Sequence, residues 1–143
     1  MKMQFAGLSA LRENFPVVEV GGDDGIFDLH NDAELRELAY DYAARTLRIT
    51  WTLKQPAWTT PERPEPSQRP TVASATLLFT GVRSLRMAGE LVTPADGEGG
   101  GLDFVEYKRL APGLGEIRFV FGEDAQILLT AGRCELRTTR SVG

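Results

Sequence analysis

Thr46-Leu47-Arg48-Ile49-Thr50-Trp51-Thr52-Leu53 alternates without a break. Leu47, Ile49, Trp51 and Leu53 fall on one side, and Thr46, Arg48, Thr50 and Thr52 on the other. Successive side chains of an extended chain point to opposite faces, so this period of two predicts a strand with one buried and one wet face. The same signal recurs along the chain. Glu116-Ile117-Arg118-Phe119-Val120-Phe121 sends Ile117, Phe119 and Phe121 inward, and Gly122-Glu123-Asp124 reads as a turn. Gln126 to Ala131 is the next strand, followed after Gly132 by Cys134 to Thr138. Thr71 to Thr80 places Ala73, Ala75, Leu77 and Phe79 on one face; Gly81 breaks that register and Val82 to Met87 continues it, as after a bulge. Leu102 to Tyr107 is a further candidate. Short strands at this spacing, with turn residues between them, predict a mainly β, single-domain antiparallel sandwich or half-barrel over residues 1–143.

One or two short helices complete that expectation. Ser9 to Asn14 is one candidate. The other is Asn31 to Tyr40, where Asn31 can cap and Glu34 completes a capping-box pattern. Leu35, Leu38 and Tyr42 share a helical face, but Leu38, Tyr40 and Tyr42 also alternate as a strand does. Two stretches leave the sheet by composition. Residues 55–70 hold Pro56, Pro61, Pro64, Pro66 and Pro70, which cannot donate to a ladder, and residues 93–101 hold four glycines. No internal repeat is legible.

A chain of 143 residues with 42% hydrophobic and 25% charged residues can bury a core without disulfides or metals. Its net charge is −4, and the acid is concentrated early: residues 1–50 hold 5 basic and 9 acidic groups. There is no basic stripe of the kind that neutralises phosphates, so nucleic acid is not an expected partner. The single cysteine, Cys134, excludes an intramolecular disulfide and a thiolate zinc site. The first residues lack a signal peptide's apolar run, and no run is long enough for a membrane helix; the expected location is cytoplasmic.

Asp28-Leu29-His30-Asn31-Asp32-Ala33-Glu34-Leu35, with Tyr40-Asp41-Tyr42 and Thr46-Leu47-Arg48-Ile49 after it, resembles a pattern in small all-β bacterial proteins. In those a His-Asp-Ala/Ser-x-Leu element leads into a tyrosine- and aspartate-rich strand, a turn and a Leu-x-Ile strand. Leu77 to Val82 is similar to their next strand, and Phe119 to Ile127 to their closing hairpin. Several such families resemble immunity proteins of polymorphic-toxin systems, and many are uncharacterised. The extra Asn31 and the proline-rich stretch depart from the pattern. The resemblance favours a strand over 34–42.

The densest polar cluster is Asp28, His30, Asp32 and Glu34, which share a face if extended and form a weak candidate metal set. A hydrogen-bonded structural histidine is the plainer reading of His30. Cys134 could act as a nucleophile beside His30, but it alternates with Leu136 and reads as core. No Gly-x-Ser-x-Gly elbow exists, and the glycine run 97–101 lacks a Lys-Ser/Thr and a following helix for a phosphate. Pro61-Glu62-Arg63-Pro64 is a chance-level Pro-x-x-Pro match. Trp51 reads as core; Trp58 lies within the proline-rich stretch.

No catalytic residue and no cofactor is expected. The leading reading is a non-catalytic protein-binding module, of the immunity type that the resemblance implies, facing another protein such as a basic toxin. Asp23, Asp24, Asp28, Asp32 and Trp58 are the expected contact residues. The alternatives are a small-molecule- or metal-binding β-barrel domain and a structural subunit, with a homodimer as one form.

Overall fold

The computed structural model describes residues 18–22, 25–30, 33–53, 72–89, 102–122 and 125–140. Ten strands run through them: β1 (Glu19–Gly22), β2 (Gly25–Asp28), β3 (Ala33–Asp41), β4 (Thr46–Leu53), β5 (Val72–Thr80), β6 (Ser84–Ala88), β7 (Phe104–Ala111), β8 (Leu114–Phe121), β9 (Ala125–Ala131) and β10 (Arg133–Arg140). The chain is mainly β and all pairings are antiparallel. Among the described residues there is no helix, and of the two helix candidates the one at Asn31 to Tyr40 is extended from Ala33 onward. The capping-box segment is strand β3, bulged between Leu35 and Glu37. Its pairing with β4 sets Ala33, Leu35, Leu38 and Tyr40 opposite Leu53, Trp51, Ile49 and Leu47, and this apolar register outweighs helix propensity. Ser9 to Asn14, Asn31 and the stretches 55–70 and 93–101 lie outside the described residues.

Two four-stranded sheets carry the core, in the orders β10-β5-β4-β3 and β6-β9-β8-β7; β1 and β2 form a separate hairpin. The two orders are one pattern written twice. Strands β3-β4-β5 form a meander that continues into β6, and β7-β8-β9 form a meander that continues into β10. Each half lends its fourth strand to the other half's sheet, so the architecture has an internal repeat that the sequence periodicity did not reveal.

The handover takes place at Gly81 and Gly132. Gly132 donates its backbone N–H to Thr80 O at 3.1 Å and Gly81 O at 3.2 Å. Gly81 has φ of 65°, a conformation that a Cβ penalises. The break foreseen at Gly81 is therefore a change of sheet. Both meander hairpins end at this crossing. Val82 donates to Arg45 O at 3.0 Å from the β3–β4 turn. In the Pro112-Gly113 turn of β7–β8, the oxygen of Gly113 lies close to Gly132.

The inner faces meet in one hydrophobic cluster. Phe119 of β8 lies 6.0 Å from Trp51 of β4 and 5.9 Å from Phe79 of β5, centroid to centroid, the latter pair edge to face. These rings come from opposite sheets and fill the space between them. Each fully buried large apolar side chain contributes roughly 1.5–3 kcal/mol. Phe27 and Leu29 from the hairpin region are buried in the same cluster.

Candidate functional site

The Asp28–Glu34 cluster folds as a turn. Asp28 Oδ1 accepts the backbone N–H of His30 at 2.8 Å, which closes an Asx turn between β2 and β3. His30 Nδ1 lies 2.7 Å from Leu102 O, 72 residues away. A carbonyl only accepts, so the ring donates from Nδ1. This bond fastens the β2–β3 turn to the chain entering β7, where Asp103 N donates to Val120 O at 2.7 Å. The histidine thus ties one sheet's end to the other's. Glu34 is exposed on β3, and Asp32 lies outside the described residues. Among the described residues no three His, Cys, Asp or Glu side chains are grouped to hold a metal ion.

Cys134 is buried opposite Phe79, next to the glycine crossing and at the other end of the strands from His30. The structure does not bring these two together. Trp51 is fully buried, as its alternation predicts. Asp23, Asp24 and Trp58 fall outside the described residues.

Charge is unevenly placed. The described residues hold eleven basic and nine acidic side chains, and the rest of the sequence holds five and eleven. The β framework is thus slightly basic and the acidity resides elsewhere. Within the framework the charges separate towards opposite ends. At the His30 end stand Glu19, Asp28, Glu34 and Asp103, with Glu19 directly opposite Asp28 in the β1–β2 ladder, and against these acids one arginine, Arg140, opposite Val72 at the end of β10. At the glycine-crossing end stand Arg45, Arg83, Arg109 and Arg133, all exposed. Tyr42, 84% exposed, and Tyr40, 40% exposed, sit beside them on the β3–β4 hairpin. Sequence reading missed this end because its arginines are scattered over 88 positions.

On the outer face of the second sheet an open depression of about 210 Å³ is lined by Glu106, Lys108, Glu116, Arg118, Gln126 and Leu128, with Tyr107 at its side. Its charges are matched within the sheet: Arg118 is ion-paired with Glu106, and Lys108 stands opposite Glu116. No described helix is long and apolar enough to cross a membrane.

These features define an antiparallel β protein with a hydrocarbon interior and oppositely charged ends. No protein-family model matches the chain, and no curated protein matches it.

Proposed function

We propose that the chain is a non-catalytic protein-binding module of the immunity type, which neutralises a basic toxin through its acidic end. The observation that supports this is the placement of Glu19, Asp28, Glu34 and Asp103 at the His30 end. Carboxylates directly opposite one another, as Glu19 and Asp28 are, repel. A cationic partner relieves that repulsion on docking. Complementary charge also steers encounter and rejects wrong partners. Asp23 and Asp24, which in sequence join β1 to β2, and Asp32, which precedes β3, add to this end's charge in the reading. Trp58 would supply an aromatic anchor.

The competing small-molecule or metal-binding barrel gains no support from the interior, where Trp51, Phe79 and Phe119 occupy the space between the sheets. The test is calorimetric titration with a catalytically inactivated product of the adjacent gene. One-to-one binding that weakens with salt and with the double change Asp23→Lys, Asp24→Lys supports the reading. Binding indifferent to both, or no heat at several temperatures, overturns it for that neighbour.

A further inference from the structure

The glycine-crossing end is chemically the opposite of the end used in that proposal. Its backbone is tightly specified. The β3–β4 turn is held by Asp41 Oδ1, which accepts Ala44 N at 2.9 Å, and by the bond from Val82 to Arg45 O. Arg45 itself has φ of 55°, a left-handed conformation that a non-glycine residue rarely adopts. Arg83 N donates to Thr130 O at 2.8 Å, and Arg133 stands opposite Thr80. Arg109 pairs with Gly115, which pairs with Ala131 beside the crossing. Four arginines from four separate segments therefore converge on one end.

Three acids stand close by among the described residues: Asp41, which keeps its charge while accepting the turn bond, Glu135, which is ion-paired with both Arg133 and Arg137, and Glu116, which stands opposite Lys108. Against them stand Arg45, Arg83, Arg109, Arg133, Lys108 and Arg137, so the described residues leave positive charge in excess here, on a chain whose total charge is −4. Tyr40 and Tyr42 meet edge to face at 6.4 Å while leaving most of the Tyr42 ring in water. Tyrosine and arginine are the side chains enriched where protein surfaces bind. An arginine fork matches a carboxylate in two hydrogen bonds.

We propose that this end is a second docking surface, which takes an acidic segment of a partner protein. Arg45, Arg83, Arg109 and Arg133 supply the cationic contacts, and Tyr40 and Tyr42 the apolar ones. A protein segment is favoured over nucleic acid because the whole chain's negative charge opposes a long polyanion, whereas a short acidic segment needs only the local field.

The probe is a fluorescein-labelled decaglutamate peptide with one central tyrosine, read by anisotropy on the full chain at low salt. A labelled ten-nucleotide thymidine strand serves as the competing polyanion. The peptide is expected to bind and to shift NMR signals of residues 40–45, 83, 109 and 133. The pair Arg83→Glu, Arg133→Glu should weaken it about tenfold, the size of two lost surface charge pairs. If that variant misfolds by circular dichroism, Arg83→Gln with Arg133→Gln gives the same test. Absence of peptide binding, binding unchanged in the arginine variants, or tighter binding of the oligonucleotide overturns the proposal. None of these outcomes bears on the acidic end, which is tested with a different probe.

Discussion

Arg83 donates its backbone N–H to the carbonyl of Thr130, and Arg133, fifty residues after Arg83, stands opposite Thr80, fifty residues before Thr130. The two pairings correspond in position, and at the second the carbonyl of Thr80 accepts from the neighbouring Gly132. Thr80-Gly81-Val82-Arg83 and Thr130-Ala131-Gly132-Arg133 are the two copies of one device that passes a strand from sheet to sheet. Both sheets depend on it, because each takes its fourth strand through the crossing.

The two glycines of the crossing are not equivalent, and alanine should tell them apart. Gly81 sits at φ of 65°, where a side chain is strained whatever space surrounds it. Gly81→Ala should cost about 1–2 kcal/mol. At Gly132 the backbone is unremarkable in φ, and a Cβ would meet Gly113 O at 3.4 Å. Gly132→Ala should cost less. Urea unfolding midpoints of the two variants check the order; equal losses would contradict the assignment of strain to Gly81.

The buried indole of Trp51 gives a second contrast. Its Nε1 has no hydrogen-bond partner among the described residues, so the ring contributes through packing and not through its polar atom. Trp51→Ala should cost about 3–5 kcal/mol by opening a cavity against Phe119. Trp51→Phe should cost much less, since it keeps an aromatic ring and removes a buried donor that lacks a bond. Denaturation of both variants checks this. A phenylalanine variant as unstable as the alanine one would mean that the indole N–H is satisfied in solution.

Alternation alone located most of the framework. Thr46 to Leu53 is strand β4 at its full length, the buried residues of β5 and β8 come from the faces read from their patterns, and β9 lies within one residue of its expected span. Three features were illegible for physical reasons. Strands β1 and β2 are four residues each and contain three glycines between them, too short and too plain to show a period. The change of sheet at Gly81 and Gly132 leaves the apolar alternation on either side intact, so a one-dimensional pattern reads it as a bulge or a turn. The candidate site suffered most. Asp28, His30 and Glu34 are three of four evenly spaced polar residues, but the turn at His30 interrupts the strand that even spacing assumes. The arginine end, in turn, is assembled only by the fold.

Glu135 supplies a pH signature. Its hydrogen bond from Arg137 holds the carboxyl below the usual carboxylate range, against an opposing desolvation and with further help from the charges of Arg137 and Arg133. A carboxyl lowered in the folded state contributes stability that is present above its unfolded value and lost as pH falls through the folded one. The group is on the surface, so the effect on stability is small and the titration itself is the better readout. NMR of the Glu135 side chain should show a midpoint below that of an unpaired glutamate, and Arg137→Gln should move it up. An unchanged midpoint in that variant would remove Arg137 as the principal cause.

The bond from His30 to Leu102 predicts both a tautomer and a local stability. Because Leu102 offers a carbonyl, the neutral ring must carry its proton on Nδ1, and nitrogen NMR of the full chain at alkaline pH should show that form. The bond joins the β2–β3 turn to the entry of β7, so its loss should loosen that end before the rest of the molecule. His30→Phe keeps a ring of similar shape and removes the donor, and should cost about 0.5–1.5 kcal/mol. Hydrogen exchange should locate the effect: the amide of Asp103, bonded to Val120, should exchange faster in the variant, while that of Gly132 at the far crossing should not. Equal acceleration at both would mean that His30 acts on global stability and does not clamp one end. A ring protonated on Nε2 would instead mean that the clamp is absent in solution, and the turn would then rest on the Asp28 bond alone.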